Sequence, residues 1–337
     1  MTSSQRLRGV IDDGKADRLL VMPITMQFAA DRIGRKYLDY TTDHRVLVEA
    51  QLRVAEEFGF DHVSAISDPA REVADCGAKI IPHPDSPPAI DKANPLLADK
   101  TTLAKLRTPN PYTGPRMSDR IRAVEELSRQ VGRDKIVEGW IEGPCTQAAA
   151  LRGINALMFD FHDDDKFIAD LFEFIIDMEL SFARAQVQAG ATLIGIGDPA
   201  ASLVSPDIYE HFILQAEKKL LQKVQELGVM VRLHICGNTS SLLEYFNLLG
   251  AEIIDLDHTV SLIEARKIMP GKQVLMGNID PVHTLRDGTP DSVYTAIGKC
   301  HLAVGPHYIV GAGREVYRDT HPDNVLAMSR YAREHQP

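Results

Sequence analysis

The sequence predicts a (β/α)8 barrel. Three observations carry the prediction: eight short β-rich apolar runs, helical patterns between them, and a length of 337 residues, long for one ordinary domain but suited to a barrel. Strands that alternate with helices demand a mostly parallel sheet. A doubly wound sheet is the alternative, because strand order is invisible in a sequence.

The runs are "LLVMPI" (19–24), "DHVSAI" (61–66), "KIVEGWI" (135–141), "ATLIGI" (191–196), "VMVRLHI" (229–235), "EIIDL" (252–256), "QVLMG" (273–277) and "HYIVG" (307–311). Each is short enough for a buried strand, and turn-forming residues follow. Between them, "HRVLVEAQLRVAEEFG" has apolar residues at helical spacing and stops at Gly59. "SDRIRAVEELSRQVG" opens on Ser118 as the expected N-cap and ends on Gly132. "SPDIYEHFILQAEKKLLQKVQELG" begins with the favoured N-cap and N1 pair, Ser205-Pro206, and the last helix begins at "HPDNVLAMSRYAREH". "HDDD" (162–165) is expected to cap the long helical stretch 163–189. One domain over 1–337 follows, with an N-terminal extension and a proline-rich excursion near 80–115 that is expected to wrap over one mouth of the barrel.

Composition excludes several classes. A net charge of -10 and a pI near 5.6, with no basic run, argue against a nucleic-acid or anionic-membrane surface. The start, "MTSSQRLRGVIDDGK", is polar, so a cytoplasmic protein is expected. Four dispersed cysteines are too few for a disulfide framework. Cys145, Cys76 and Cys300 read as packing residues, and His83 as a loop residue without a partner at ligand spacing. No Gly-rich phosphate loop, H-E-x-x-H or G-x-S-x-G occurs.

In a barrel the residues after each strand converge on one face, where active sites are built. Here they include Gln27, Asp68, Glu142, Asp198, His234, Cys236, Asn238, Asp280 and Arg314. Turn chemistry accounts for the Asp and Asn residues among them. It accounts poorly for Glu142, His234, Cys236 and Arg314. His234 and Cys236, two apart on a strand, point the same way, and imidazole nitrogen and thiolate sulfur are ligands that zinc prefers. A lone H-x-C is also what a buried strand end can contain by chance, so spacing alone favours packing. The following Gly237-Asn238-Thr239 raises the ligand reading.

The motifs "VEGWIEGPCTQAAALRG", "GATLIGIGDPAASLVSPDIYEHF", "LHICGNTSSLL", "LMGNIDP" and "GAGREVYRDTHPDN" resemble the uroporphyrinogen decarboxylase superfamily over nearly the whole chain. The resemblance implies a (β/α)8 barrel. True decarboxylases of that superfamily grip a tetrapyrrole with N-terminal arginines in a "RQAGR"-like segment, whereas this chain reads "MPITMQFAADRIGRKYLDY", with Gln27 and no matching arginine pair. The corrinoid-linked methyltransferase branch carries H-x-C and binds zinc through it. "IEGP" at Glu142 is most similar to the O-demethylase components of that branch.

The resemblance therefore implies a methyltransferase that takes a methyl group from a small methyl donor, an aryl methyl ether, and passes it to Co(I) of a separate corrinoid protein that carries the cobalamin. His234 and Cys236 would hold zinc, Glu142 would be a ligand or general acid, and Asp198 and Asn238 would orient ligand or substrate. Gln27, Asp68, Asp280 and Arg314 would face the substrate. One departure stands out: where the family's third zinc ligand is a cysteine after the eighth strand, this chain has Arg314. Rival readings are a methylcobamide:thiol methyltransferase, a metal-free decarboxylase, and a binding protein on the same barrel.

Overall fold

A computed structural model describes residues 1–337. All eight runs form strands: β1 Leu20–Val21, β2 His62–Ser64, β3 Ile136–Glu142, β4 Leu193–Gly197, β5 Met230–Ile235, β6 Ile253–Leu256, β7 Val274–Met276 and β8 Tyr308–Val310. They pair in parallel in the order β1-β8-β7-β6-β5-β4-β3-β2. This is the strand order of a barrel and not of a doubly wound sheet.

The seam between β1 and β2 is held by Asp61. Its backbone N donates to Val21 O (3.0 Å), and its carboxylate accepts from Val21 N (2.9 Å). The same carboxylate takes Ser3 Oγ, Arg6 Nη1 and Arg18 Nη1, each at 2.8 Å. The N-terminal extension is thereby tied to the seam. It folds as α1 (Ser3–Asp13), started by a Thr2/Gln5 capping box and ended at Gly14 in the left-handed conformation. Leu7 and Val10 of α1 close the N-terminal end of the barrel against Leu20, Met22, Ile136, Leu193, Ile253 and Ile309.

The helices follow their sequence signals with one exception. α2 (His44–Phe58) is capped by Asp43 and ends at Gly59, with φ 70°. α3 is Arg71–Asp75. α4 runs Pro115–Val131 and so begins before Ser118, which lies inside its first turn. The Asp75 carboxylate, on α3, accepts from Arg116 N (3.1 Å) and Met117 N (2.8 Å), so the exposed N–H groups are satisfied from elsewhere in the chain. α5 is Pro144–Arg152, and α6, Asp165–Gln188, is capped by Asp164 through Phe167 N (3.1 Å). Ser205 caps the helix that starts at Pro206, and His321 the last helix, Pro322–Glu334.

The excursion 80–115 forms a two-stranded antiparallel ribbon, Ile80–Ile81 with Ala89–Ile90, and a short 3-10 helix, Lys100–Lys105. It lies on the rim, where Pro84 O accepts from Leu38 N and Asp85 O from Arg318 Nη1. None of its residues lines the central cavity. No helix is long and apolar enough to cross a membrane.

Candidate active site at the barrel mouth

A cavity of about 310 Å³ opens at the C-terminal ends of the strands. Ile24, Met26, Ile66, Trp140 and Tyr317 form apolar walls, and Gln27, Asp68, Glu142, His234, Cys236, Arg314 and Glu315 supply its polar groups. Two glycines of β4 make it possible. A Cβ at Gly195 would stand 2.2 Å from the Trp140 ring, and one at Gly197 would stand 3.1 Å from both Trp140 and Glu142 Oε2. The alternating glycines of "GIGD" thus let a tryptophan lie across the barrel interior.

Register places the reactive groups. Glu142, Gly197, His234 and Asp255 are successive partners across β3, β4, β5 and β6, so they share one inward-facing row. His234 Nδ1 stands 3.0 Å from Asp255 Oδ2, and its Nε2 2.9 Å from Cys236 Sγ. The imidazole is therefore gripped at both nitrogens and held in one orientation. Asp255 is held in turn: Arg232 donates to its Oδ2 from Nε (3.1 Å) and Nη2 (2.6 Å), and to Glu138 Oε1 from Nη1 (3.1 Å). Arg232 also lies over Trp140, 5.7 Å from the ring centroid. Burial disfavours the His234 imidazolium, but the neighbouring Cys236 and Asp255 outweigh it and raise the proton affinity well above that of an ordinary histidine.

Glu142 gives Oε1 to Arg71 Nη2 (2.9 Å). Burial pushes its carboxyl up to about 8, against the pull of Arg71 and with the help of Glu72. Asp68 accepts from Arg116 Nη2 at 2.6 Å. Gln27 begins a helical turn, Gln27–Arg32, whose Met26 and Gln27 N–H groups donate to Glu315. Burial pushes Glu315 up to about 7 despite those two donors. Arg314 donates from Nε to Asp257 Oδ2, and its two terminal nitrogens make no hydrogen bond within the chain. Asp257 also takes Gly237 N (2.7 Å), Thr259 N (2.9 Å) and Thr259 Oγ1 (2.8 Å). Burial raises its proton affinity, but these donors overcome that and bring it down to about 2.

Three expected site residues lie outside the cavity. Asp198 is buried and accepts from Cys145 N (3.0 Å), Thr146 N (2.7 Å) and Thr146 Oγ1 (2.7 Å), so it fixes the start of α5. Asn238 is exposed and accepts from Ser240 N within its own turn. Asp280 caps the turn after β7 through Val282 N and His283 N. All three are spent on backbone N–H groups of loops and helix starts, which is the structural use of short polar side chains. Sequence reasoning missed Asp255, Arg232, Glu138 and Arg71. For the first three the signal was available, since "VMVRLHI", "EIIDL" and "KIVEGWI" set Arg232, Asp255 and Glu138 among apolar strand residues, and such a buried charge must be paired.

The zinc expectation was tested on the donor set. Tetrahedral zinc with nitrogen and sulfur ligands would separate them by about 3.6 Å, so the 2.9 Å pair would open by less than an ångström. A third donor is lacking: no group of three His, Cys, Asp or Glu residues is arranged to hold a metal ion. Glu142 is tied to Arg71, and Arg314 adds a cation on the cavity wall without a lone pair to offer. The residues present do not by themselves make a three-ligand zinc site.

Comparison with known proteins agrees with this architecture. The family model for uroporphyrinogen decarboxylase (URO-D) matches residues 2–335. The chain is 32% identical over 230 residues to a methylcobamide:CoM methyltransferase MtbA of Methanosarcina mazei, covering 68% of this chain and 66% of that protein. It is 27% identical over 253 residues to a methylated-thiol–coenzyme M methyltransferase of the same organism, covering 74% of this chain and again 66% of the relative. The matches thus span just under two thirds of each relative's length. A solved methyltransferase from Methanosarcina mazei superposes with a TM-score of 0.90 over 99% of both chains at 22% identity, which speaks for the fold. With a family model matched almost end to end on a barrel of this form, the chain belongs to the uroporphyrinogen decarboxylase (URO-D) family.

Proposed function

We propose that this protein moves a methyl group between a small methylated compound and the cobalt of a corrinoid carried by another protein, with a carboxylated aryl methyl ether as the donor. The observation that carries the reading is the His234–Cys236 pair, oriented by Asp255, at a small mouth cavity. Similarity to proteins named for methylcobamide chemistry supports it.

A cavity of about 310 Å³ is at the lower end for ligand pockets, so it takes the small substrate while a corrin must approach from outside the mouth. Ile24, Ile66 and Trp140 offer an aromatic ring apolar surface, and the free terminal nitrogens of Arg314 suit a carboxylate in two-pronged geometry. Gln27 and Asp68 line the same space. Loss of the methyl group leaves a poor leaving group on the ether oxygen, so proton donation there lowers the barrier.

A second reading is transfer in the opposite sense, from methylcobamide to a thiol, and similarity to methyltransferases named for methylcobamide and coenzyme M favours it. Zinc belongs with that reading. His234 and Cys236 would need a ligand from outside the chain, and a thiolate acceptor supplies one.

The test is spectroscopic. With a reduced corrinoid protein and para-methoxybenzoate, the absorption of Co(I) should give way to that of methyl-Co(III) while para-hydroxybenzoate forms. If only methyl-Co(III) decays, and only with a thiol present, the second reading replaces the first. Tetrapyrrole decarboxylation without either change refutes both.

A further inference from the structure

One side chain closes the barrel interior beneath the cavity. Residues two apart on a strand point the same way. Trp140, Gly195 and Arg232, register partners across β3, β4 and β5, therefore form the inward row one step deeper than Glu142, Gly197 and His234. In a barrel such a row is ordinarily filled by bulky branched side chains from several strands. Here β3 brings an indole, β4 brings no side chain, and β5 brings a cation that is already paired. Arg232 gives Nε and Nη2 to Asp255 and Nη1 to Glu138.

The indole takes the space that the glycines leave. A Cβ at Gly195 would meet its Cε3 at 2.2 Å and Cζ3 at 2.4 Å, and one at Gly197 would meet Cζ2 at 3.1 Å and Nε1 at 3.2 Å. Trp140 packs with Ile24, Ile66 and Met26 in an apolar group of its own, apart from the main core of the barrel. All four line the cavity. The apolar group around the indole thus shapes the cavity, where an ordinary core tryptophan would join the main core.

We propose that Trp140 is the specificity-determining residue of this cavity: it admits a donor of one aromatic ring, lying across the interior on the indole, and leaves no depth for a second ring. The proposal rests on the methyl-transfer reading and deepens it, from carboxylated aryl ethers in general to those built on a single ring. An indole and a donor ring meet favourably either offset-stacked or edge to face, so the preference does not depend on one tilt. Depth matters to the transfer because a corrin approaches from outside the mouth. A donor stopped at Trp140 keeps its methyl group level with the cavity walls, and one that sinks deeper carries it out of reach.

Trp140 is the one tryptophan of the chain, so its emission reads the contact without corrinoid or methyl transfer. Para-hydroxybenzoate, which has no methyl group to lose, should change the emission of the full chain saturably, with the Kd that calorimetry gives. Cyclohexanecarboxylate, equally charged but not aromatic, should bind roughly three- to tenfold more weakly. By calorimetry the parent chain should bind 6-methoxy-2-naphthoate at least about tenfold more weakly than para-methoxybenzoate, and Trp140→Ala should reverse that order. Trp140→Phe keeps an aromatic surface and should hold para-methoxybenzoate within about threefold of the parent. Equal weakening of all these acids in Trp140→Ala marks the indole as packing alone and overturns the proposal. Calorimetric binding without a change in emission overturns it too, as does a parent chain that binds no aromatic acid. Should Trp140→Ala not fold, the emission of the parent and the affinity of Trp140→Phe decide alone. Ring selectivity as expected, in a chain that moves no methyl group to or from a corrinoid protein, refutes the methyl-transfer reading and leaves Trp140 in its role. Transfer at equal kcat/KM from the one-ring and two-ring ethers in the parent does the opposite.

Discussion

Replacing Arg314 by lysine separates a substrate-binding role from a loop-pinning one. Nε of Arg314 holds Asp257, and Arg314 lines the cavity with two terminal nitrogens that make no hydrogen bond within the chain, as the proposed substrate role needs. Loss of the Nε bond leaves Asp257 with three donors, from Gly237 N, Thr259 N and Thr259 Oγ1, so the loop should keep its place. What changes is recognition. A guanidinium offers a carboxylate two parallel charge-assisted hydrogen bonds, and an ammonium offers one directed bond with the same charge. The lost bond is worth about 1.5 kcal/mol, or roughly a tenfold rise in KM for para-methoxybenzoate. Arg314→Gln removes the charge as well, and about a hundredfold rise is expected for about 3 kcal/mol. The control is para-methoxybenzamide, of the same shape and neutral, whose KM should move less than about twofold in either variant. Steady-state assays of corrinoid methylation with both donors measure this. Equal changes for the acid and the amide would refute the reasoning and leave Arg314 as a pin for Asp257.

Three further outcomes follow from the same geometry. Asp255→Asn removes a buried carboxylate shared by Arg232 and His234; because Arg232 keeps Glu138, the cost should be near the lower end of the range for a broken buried pair, about 3 kcal/mol by chemical denaturation. The His234 proton affinity followed by NMR should fall in that variant, and an unchanged titration would show that Asp255 does not set it. Arg314→Cys trades the cation beside His234 and Cys236 for a sulfur donor, so equilibrium dialysis should find much tighter zinc binding than in the parent chain; no gain would mean that the strand-eight position cannot reach the pair. Glu315, raised to about 7, holds its proton more tightly folded than unfolded, so its contribution is present below about pH 4.5 and is lost as pH rises through about 7. The Tm of Glu315→Gln relative to the parent should therefore rise between about pH 5 and about pH 8, and a constant difference would mean that the carboxyl is not buried as drawn.

The strands were legible because buried parallel strands are short, apolar and closed by turn residues, and "ATLIGI" or "VMVRLHI" read that way without knowledge of neighbours. Helix ends were legible where the cap is local, as at Gly59 and Ser205-Pro206. The start of α4 was not, because its cap, Asp75, comes from another helix. The site divides along the same line. His234 and Cys236 could be paired from the period of a strand alone. Asp198, Asn238 and Asp280 were given chemistry because they follow strands, yet each satisfies backbone N–H groups close by. Asp255, Arg232 and Arg71 gain meaning only from partners on other strands and helices, which no spacing rule reveals.

The substitution at Arg314 also changes what the cavity can hold. A third anionic ligand beside His234 and Cys236 would draw a divalent cation to the wall. A guanidinium there repels one and attracts an anion instead. The positive charge stays at the mouth but becomes a fixed part of the chain, offered through two free nitrogens. On the demethylation reading proposed above, activation of the leaving atom would come from a proton. Glu142 and Glu315, both on the cavity wall, have proton affinities raised toward or above neutrality, to about 8 and about 7. Glu315 spends one oxygen on the Met26 and Gln27 N–H groups, whereas Glu142 has two further carboxyl groups packed behind it. On the proposed reading, an anionic donor at the mouth would be drawn by the same guanidinium that keeps a cation from the cavity wall.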